Sequence, residues 1–284
     1  MSLTLTYKND IGTVTMSGGG RGDVRICSLE GLGPVSNEYI VAVYSGHNGQ
    51  STISSRALAR SITVALEIIS ENISSIMPKI LRVLSRSGTL YINDYNVDRK
   101  IECSQVQVPD VTRVLKGKIS TFAVQFVCDN PYFEDGENTV VPLYKRTKLL
   151  SNPFTMPCMF GEIVTGAEIE ILGIDDVEPV ITMYYPDALG GVENITIANE
   201  TTGKSICLNY APQVDDTVVI DVKKRNITSS KAGNLINYLS NDTFLGDFVL
   251  KGGINIISVD LGDVTSGFTV ECRYSNRYME AVIV

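Results

Sequence analysis

"STFAVQFVCDNPYFED", residues 120–135, decides the architecture. Its apolar side chains Phe122, Val124, Phe126 and Cys128 alternate with other residues, the period of a strand that buries one face. The alternation stops at Asp129-Asn130-Pro131. A residue before proline is pushed out of helical geometry, and proline donates no ladder hydrogen bond. A sheet therefore ends here. Tyr132 and Phe133 are expected to pin the exit by packing on that sheet, and Glu134 and Asp135 to open a solvated connector. The stretch reads as a domain exit rather than a catalytic motif.

The same period recurs on both sides. Upstream it marks strands at 11–16, 23–29, 38–44, 60–68, 89–95, 99–108 and 118–128, separated by glycine-rich turns such as Gly18-Gly19-Gly20 and Gly46-His47-Asn48-Gly49. One stretch differs. In "SSIMPKILRVLSRSG" the residues Ile76, Met77, Ile80, Leu81, Val83 and Leu84 follow helical spacing. Ser74 or Ser75 can cap this helix at about 75–87, Pro78 is tolerated in its first turn, and Gly88 supplies the stop. Downstream, strands are expected at 162–172, 179–185, 192–198, 204–208, 216–222, 243–250, 254–260 and 267–274. Many short strands at even spacing predict an all-β sandwich or jelly roll.

With 284 residues the chain exceeds the usual size of a single core. The expected division is 1–133, a connector at 134–160 rich in proline and base, and 161–284. Whether the closing "YMEAVIV" (278–284) returns to the first domain is open at this level.

The net charge of −8 argues against a surface that grips nucleic acid through its phosphates. No 18-residue apolar run calls for a membrane-spanning helix, and "MSLTLTYKND" lacks the basic-then-apolar layout of a secretory leader. Cysteines at 27, 103, 128, 158, 207 and 272 have no CxxC-type spacing. With His47 as the sole histidine, no metal site is expected. The cysteines suit small buried hydrophobes in a reduced compartment of synthesis.

Catalytic candidates are few. "SGGGRGD" (17–23) precedes a strand and lacks the lysine of a phosphate loop, so it reads as a turn. His47 lies in a turn without an evident partner, which favours plain solvation. The acid pairs Glu134/Asp135, Asp175/Asp176 and Asp215/Asp216 each adjoin turns, where aspartate caps nearby backbone. The sequons at Asn72, Asn194, Asn199, Asn226 and Asn241 carry no weight without a leader. Tyr184, Tyr185, Tyr210, Tyr238 and Tyr274 could serve a sugar site, but core or interface duty is the expected role. No catalytic, cofactor-binding or metal-binding residue is assigned.

Read in order, three segments resemble the siphophage-type distal tail protein family of the baseplate hub. They are "ICSLEGLGPVSNEYIVAVYSGHNGQSTISSRALARSITVALEII" (26–69), "IMPKILRVLSRSGTLYIND" (76–94) and the exit segment quoted above. The stretches "DDTVVIDVKKRNIT" (215–228), "FVLKGGINIISVD" (248–260) and "FTVECRYSNRYMEA" (268–281) resemble that family's closing strands. The resemblance implies a mainly β fold. Its first domain, β-sandwich or barrel-like with one short helix, would close into a hexameric ring, and its second would be a galectin-like β-sandwich. It also implies a place at the virion tail tip, with partners in the tail tube and the tail-associated hub or fibre protein. DNA would pass through the ring unbound, and a host cell-surface glycan could meet the second domain. The rival readings are a carbohydrate-binding adhesin of two β domains, a glycoside hydrolase using an acid pair, and a helical tube subunit.

Overall fold

A computed structural model describes residues 3–19, 22–46, 48–95, 97–108, 111–114, 118–148, 161–186, 194–261 and 268–281. The chain divides into two compact units, Met1–Gly136 with Tyr278–Val284, and Glu137–Arg277.

The first unit contains β1 (Thr4–Lys8), β2 (Thr13–Ser17), β3 (Val24–Glu30), β4 (Asn37–Ala42), β5 (Ser51–Ala57) and β6 (Arg60–Ile69). Helix α1 (Ile73–Leu84) follows, then β7 (Gly88–Asp94), β8 (Val97–Cys103), β9 (Gln105–Gln107), β10 (Val111–Val114), β11 (Ile119–Cys128) and β12 (Phe133–Asp135). Its main sheet runs β10-β11-β6-β3-β2-β1-β7-β8-β12, and the chain's last strand joins beyond β12. The heart of the sheet is the ten-residue ladder of β6 and β11, which sets Phe126 opposite Ile62, Val124 opposite Val64 and Phe122 opposite Leu66. All six are buried, as the alternation of 122–128 requires. Tyr7 of β1 meets Phe126 with ring centroids 5.1 Å apart.

This sheet is not a closed barrel. β8 keeps β12 as its neighbour, and the return to β11 is made by β9, three residues long. The expected single strand at 99–108 is thus two, broken at Ser104, whose N–H and hydroxyl both donate to the Val127 carbonyl (2.9 and 3.0 Å).

Helix α1 begins at Ile73 rather than at about 75, so Pro78 falls in its second turn and costs one backbone hydrogen bond there. Asn72 precedes the first turn and makes no side-chain cap, so the expected serine cap is absent. Met77, Ile80, Val83 and Leu84 face the core. Gly88 is the first residue of β7 rather than a helix stop; a Cβ there would lie 2.5 Å from the Lys8 carbonyl oxygen.

The second unit holds β13 (Thr139–Lys148), β14 (Gly161–Val164), β15 (Gly166–Ile171), β16 (Val180–Tyr185), β17 (Ile195–Asn199) and β18 (Lys204–Leu208). It continues with β19 (Asp216–Asp221), β20 (Asn226–Ser229), β21 (Gly233–Asn234), β22 (Gly253–Asp260) and β23 (Thr269–Tyr274). Two sheets, β14-β13-β23-β16-β19-β20-β21 and β15-β22-β17-β18, bury their inner faces in one core. This is the expected sandwich.

Two expectations are corrected. The stretch 134–160 is not a connector throughout, because β12 and β13 lie within it. Leu143 and Tyr144 are core residues, and Pro142 sits where the β13–β23 register shifts, a place that needs no proline N–H. The run 243–250 is not a strand either. Leu245–Asp247 forms a 3-10 turn, and only Leu250 bridges, to Val177. Gly246 and Asp247 favour the turn, while Leu245, Phe248 and Leu250 still reach the core.

The closing residues belong to the first unit. β24 (Arg277–Tyr278) adds to the sheet beyond β12, and Ala281 is buried and donates its N–H to the Leu32 carbonyl at 3.1 Å. Among the described residues, no helix is long and apolar enough to cross a membrane.

Candidate assembly surface

Among the described residues, β4 and β5 pair only with each other. Their hairpin carries Tyr39, Ile40, Val41 and Ile53, with Val43 and Tyr44 in the loop that follows β4. Tyr39 is 61% exposed, Ile53 68% and Val43 74%. An isolated two-stranded ribbon is marginal in water, and several large apolar side chains exposed on one ribbon point to an interface. The hairpin itself is well formed. Leu58 N–H donates to the Ser36 carbonyl at 2.9 Å, Arg56 pairs with Glu38 at 2.6 Å, and Gly46 and Gly49 take the positive φ that the tip requires (81° and 91°).

A single side chain anchors its base. Arg60, the first residue of β6, is buried and spends its guanidinium on four carbonyls. Nε donates to Pro131 (2.7 Å), Nη1 to Gly31 and Gly33 (2.6 Å each), and Nη2 to Met279 (2.6 Å). Its guanidinium carbon stands 4.4 Å above the centre of the Phe133 ring. Burial pulls the Arg60 pKa below its ordinary value, against the opposing pull of nearby Cys128 and Glu280. Gly31 has φ +94°, and a Cβ on it would lie 2.2 Å from the Ser61 carbonyl oxygen, so the backbone enters the hairpin along a path only glycine can take. Arg60 thereby joins the segment before the hairpin, the exit at Pro131 and the returning C-terminal segment.

The exit behaves partly as read. Phe133 is fully buried and pins it, and Asn130 Oδ1 accepts from Tyr132 N–H at 3.2 Å. Glu134 and Asp135 do not open a solvated connector. They stand opposite Lys100 and Arg99 in the β12–β8 ladder, and Asp135 pairs with Arg99 at 3.0 Å, both half-buried. Arg99 also lies 3.6 Å over the Tyr278 ring.

The remaining candidates disperse. His47 lies outside the described residues, as do Gly20 and Arg21 of "SGGGRGD" and Cys158. Gly19 and Gly22, on either side of that gap, have positive φ between β2 and β3, as a turn requires. Asp216 is fully buried and accepts from Tyr210 Oη (2.7 Å), Ser229 Oγ (2.7 Å) and Ser230 Oγ (2.9 Å). Burial raises its pKa, but these donors together outweigh it and hold the carboxyl below the ordinary carboxylate value. Asp175 and Asp176 meet Arg277 and Lys251: Arg277 Nη1 donates to the Asp176 carbonyl (2.5 Å), Nη2 binds Glu178, and Lys251 pairs with Asp176 (2.5 Å). Tyr185, Tyr210 and Tyr274 are core residues, while Tyr184 and Tyr238 stay exposed.

Sequence reasoning missed the hairpin's isolation and the role of Arg60. A legible signal exists for the first. "YIVAVY" (39–44) is apolar without alternation, and the strand that answers it, "STISSRA" (51–57), offers no apolar face to cover it.

No curated protein matches the chain by sequence. Residues 173–278 match the sequence profile of the siphovirus-type tail component, C-terminal domain. In fold the chain is similar to the SPP1 Dit protein, a hub of the adsorption apparatus in phages that infect Gram-positive hosts. The TM-score is 0.64 at 10% identity, covering 97% of this chain and 98% of that one. It is similar also to a chain of the phage P2 baseplate in its activated conformation with calcium (TM-score 0.55, 14% identity, 97% and 98% covered). A third likeness is to the p2 baseplate activated with strontium (0.57, 14%, 96% and 98%). The profile thus bears out the family resemblance over 173–278, and over nearly the whole chain the likeness is one of fold.

Proposed function

We propose that this chain is a structural protein of a phage or prophage distal tail, placed at the tail tip. Six copies close into a ring that joins the tail tube to the hub or fibre protein. The observation that carries the assembly step is the β4–β5 hairpin, which is formed, anchored by Arg60 and left with its apolar side chains bare. A ring needs a heterologous surface, one patch on each subunit seated on a different patch of the next, and a projecting ribbon meets that need. The family profile over 173–278 and the fold likeness to baseplate hub chains support the tail setting.

The ring works by geometry, with no bond made or broken. The net charge of −8 suits a lumen through which DNA slides without sticking, since like charges repel at close range. The second unit, a galectin-like sandwich in this reading, faces outward as a platform that can meet host glycans.

Negative-stain imaging of the purified chain, alone and mixed with a tail tube protein, tests the reading. Six-fold rings stacking on tube ends are expected. Monomeric particles in both samples, together with retention on a glycan array, would replace it with the adhesin reading.

A further inference from the structure

We infer that Cys103 and Cys128 form an intramolecular disulfide when the folded chain meets a low-molecular-weight disulfide oxidant, and that this bond locks the seam between β8 and β11. The two sulfurs lie 3.7 Å apart, in van der Waals contact. Both side chains are buried, at 2% and 0% exposure. A bond of about 2.05 Å is reached by modest side-chain rotation from such a contact.

The position gives the bond a purpose. Cys103 is the last residue of β8 and Cys128 the last of β11. Among the described residues, β8 and β11 are tied by Ser104 and the three pairs of β9 with β11. Three pairs are far fewer than the ten of the adjoining β6–β11 ladder, so this link opens more readily than the ladder beside it. A covalent link there holds the return strand in register without changing a single pairing. The next residues, Ser104 and Asp129, are exposed while the two thiols are buried, so the oxidant reaches the sulfurs only when the strand ends open.

The surroundings also divide the two sulfurs by role. Cys128 stands directly opposite Arg60 across the β6–β11 ladder. The hydrogen bond shared with Cys103 and the Arg60 charge draw the Cys128 thiol pKa down against burial, whereas Cys103 is pushed up by the same hydrogen bond and by burial. With the Arg60 guanidinium across the ladder from it, Cys128 is the sulfur placed to attack as the thiolate. It takes one sulfur of the oxidant RSSR and releases one RS⁻. Cys103, on giving up its proton, then displaces the second RS⁻ from the mixed disulfide. Two S–H bonds are lost, one S–S bond forms, and the oxidant leaves as two RSH. Reduced thiols at synthesis and a locked seam outside the cell fit the tail-tip reading, but the chemistry stands without it.

The test treats the full-length protein with oxidised glutathione and follows it by alkylation, peptide mass mapping and thermal unfolding. The expected result is loss of two alkylatable thiols, a cross-linked peptide pair containing Cys103 and Cys128, and a Tm higher by about 5–12 °C that dithiothreitol reverses. Cys103→Ser and Cys128→Ser should each abolish the link and the shift. Should burial block the oxidant, the chain is unfolded and refolded in a glutathione redox buffer. Thiols at 103 and 128 that form no link in the folded chain overturn its oxidation in the folded state, and thiols that stay alkylatable after refolding as well overturn the bond itself. A cross-link without any rise in Tm overturns its locking role.

Discussion

The first unit contains two antiparallel strand pairs with opposite surroundings. In β6–β11, ten residues on each strand pair in unbroken register, and the side chains alternate between buried and half-exposed. In β4–β5, the ladder is just as real, yet nearly every side chain is exposed on both strands. Hydrogen bonding is common to both pairs. What differs is whether an apolar face has a partner within the chain. The first ladder is stabilised by burial, since each Phe or Leu removed from water contributes about 1.5–3 kcal/mol. The second leaves that stabilisation unrealised within the chain, with its apolar side chains exposed. Strand formation and core formation are separable, and in this chain β4–β5 shows the first without the second.

That contrast can be strained first at the base. Arg60→Ala leaves the carbonyls of Gly31, Gly33, Pro131 and Met279 without their buried donor. The expected loss is about 3–5 kcal/mol, read by urea unfolding. Phe126→Ala in the buried ladder should cost about 3–4 kcal/mol by the same measurement. Gly31→Ala should cost about 2 kcal/mol, because a Cβ cannot occupy that left-handed, crowded position. Ile53→Ser on the hairpin should change monomer stability by less than about 0.5 kcal/mol while weakening assembly. Glu38→Gln, which removes an exposed ion pair, should change stability by no more than about 0.5 kcal/mol.

The second unit offers a matched control on titration. The Asp216 carboxyl has a folded pKa below its unfolded value, so its contribution is present above the ordinary carboxylate pKa and is lost as pH falls through the folded one. Asp216→Asn should flatten the acid limb of the unfolding profile of that unit and leave the hairpin's assembly unchanged.

Much of this was legible in the residues. The alternation at 122–128 and 60–68 gave the buried ladder, because period two and burial of one face are the same statement. The proline at 131 marked where β11 ends. The helix was visible in its apolar stripe, although its start was misplaced because no side chain caps it. β13 was hidden because Pro142 and the bases around it resemble a connector, and its proline is accommodated by a register shift that no local pattern announces. Arg60 was out of reach for a different reason. Its four acceptors come from three separated segments, and only the folded chain brings them together. The thiol pair is invisible for the same cause, since Cys103 and Cys128 become neighbours only through the pairing of β9 with β11.

The most direct measurement is molar mass by light scattering across a concentration series, for the native chain and for a Tyr39→Ser/Val43→Ser/Ile53→Ser variant. The account predicts a concentration-driven rise to six copies for the native chain. It predicts a folded monomer of unchanged Tm for the variant at every concentration. A native chain that stays monomeric throughout, or a variant that still assembles to six, would contradict the hairpin as the assembly surface.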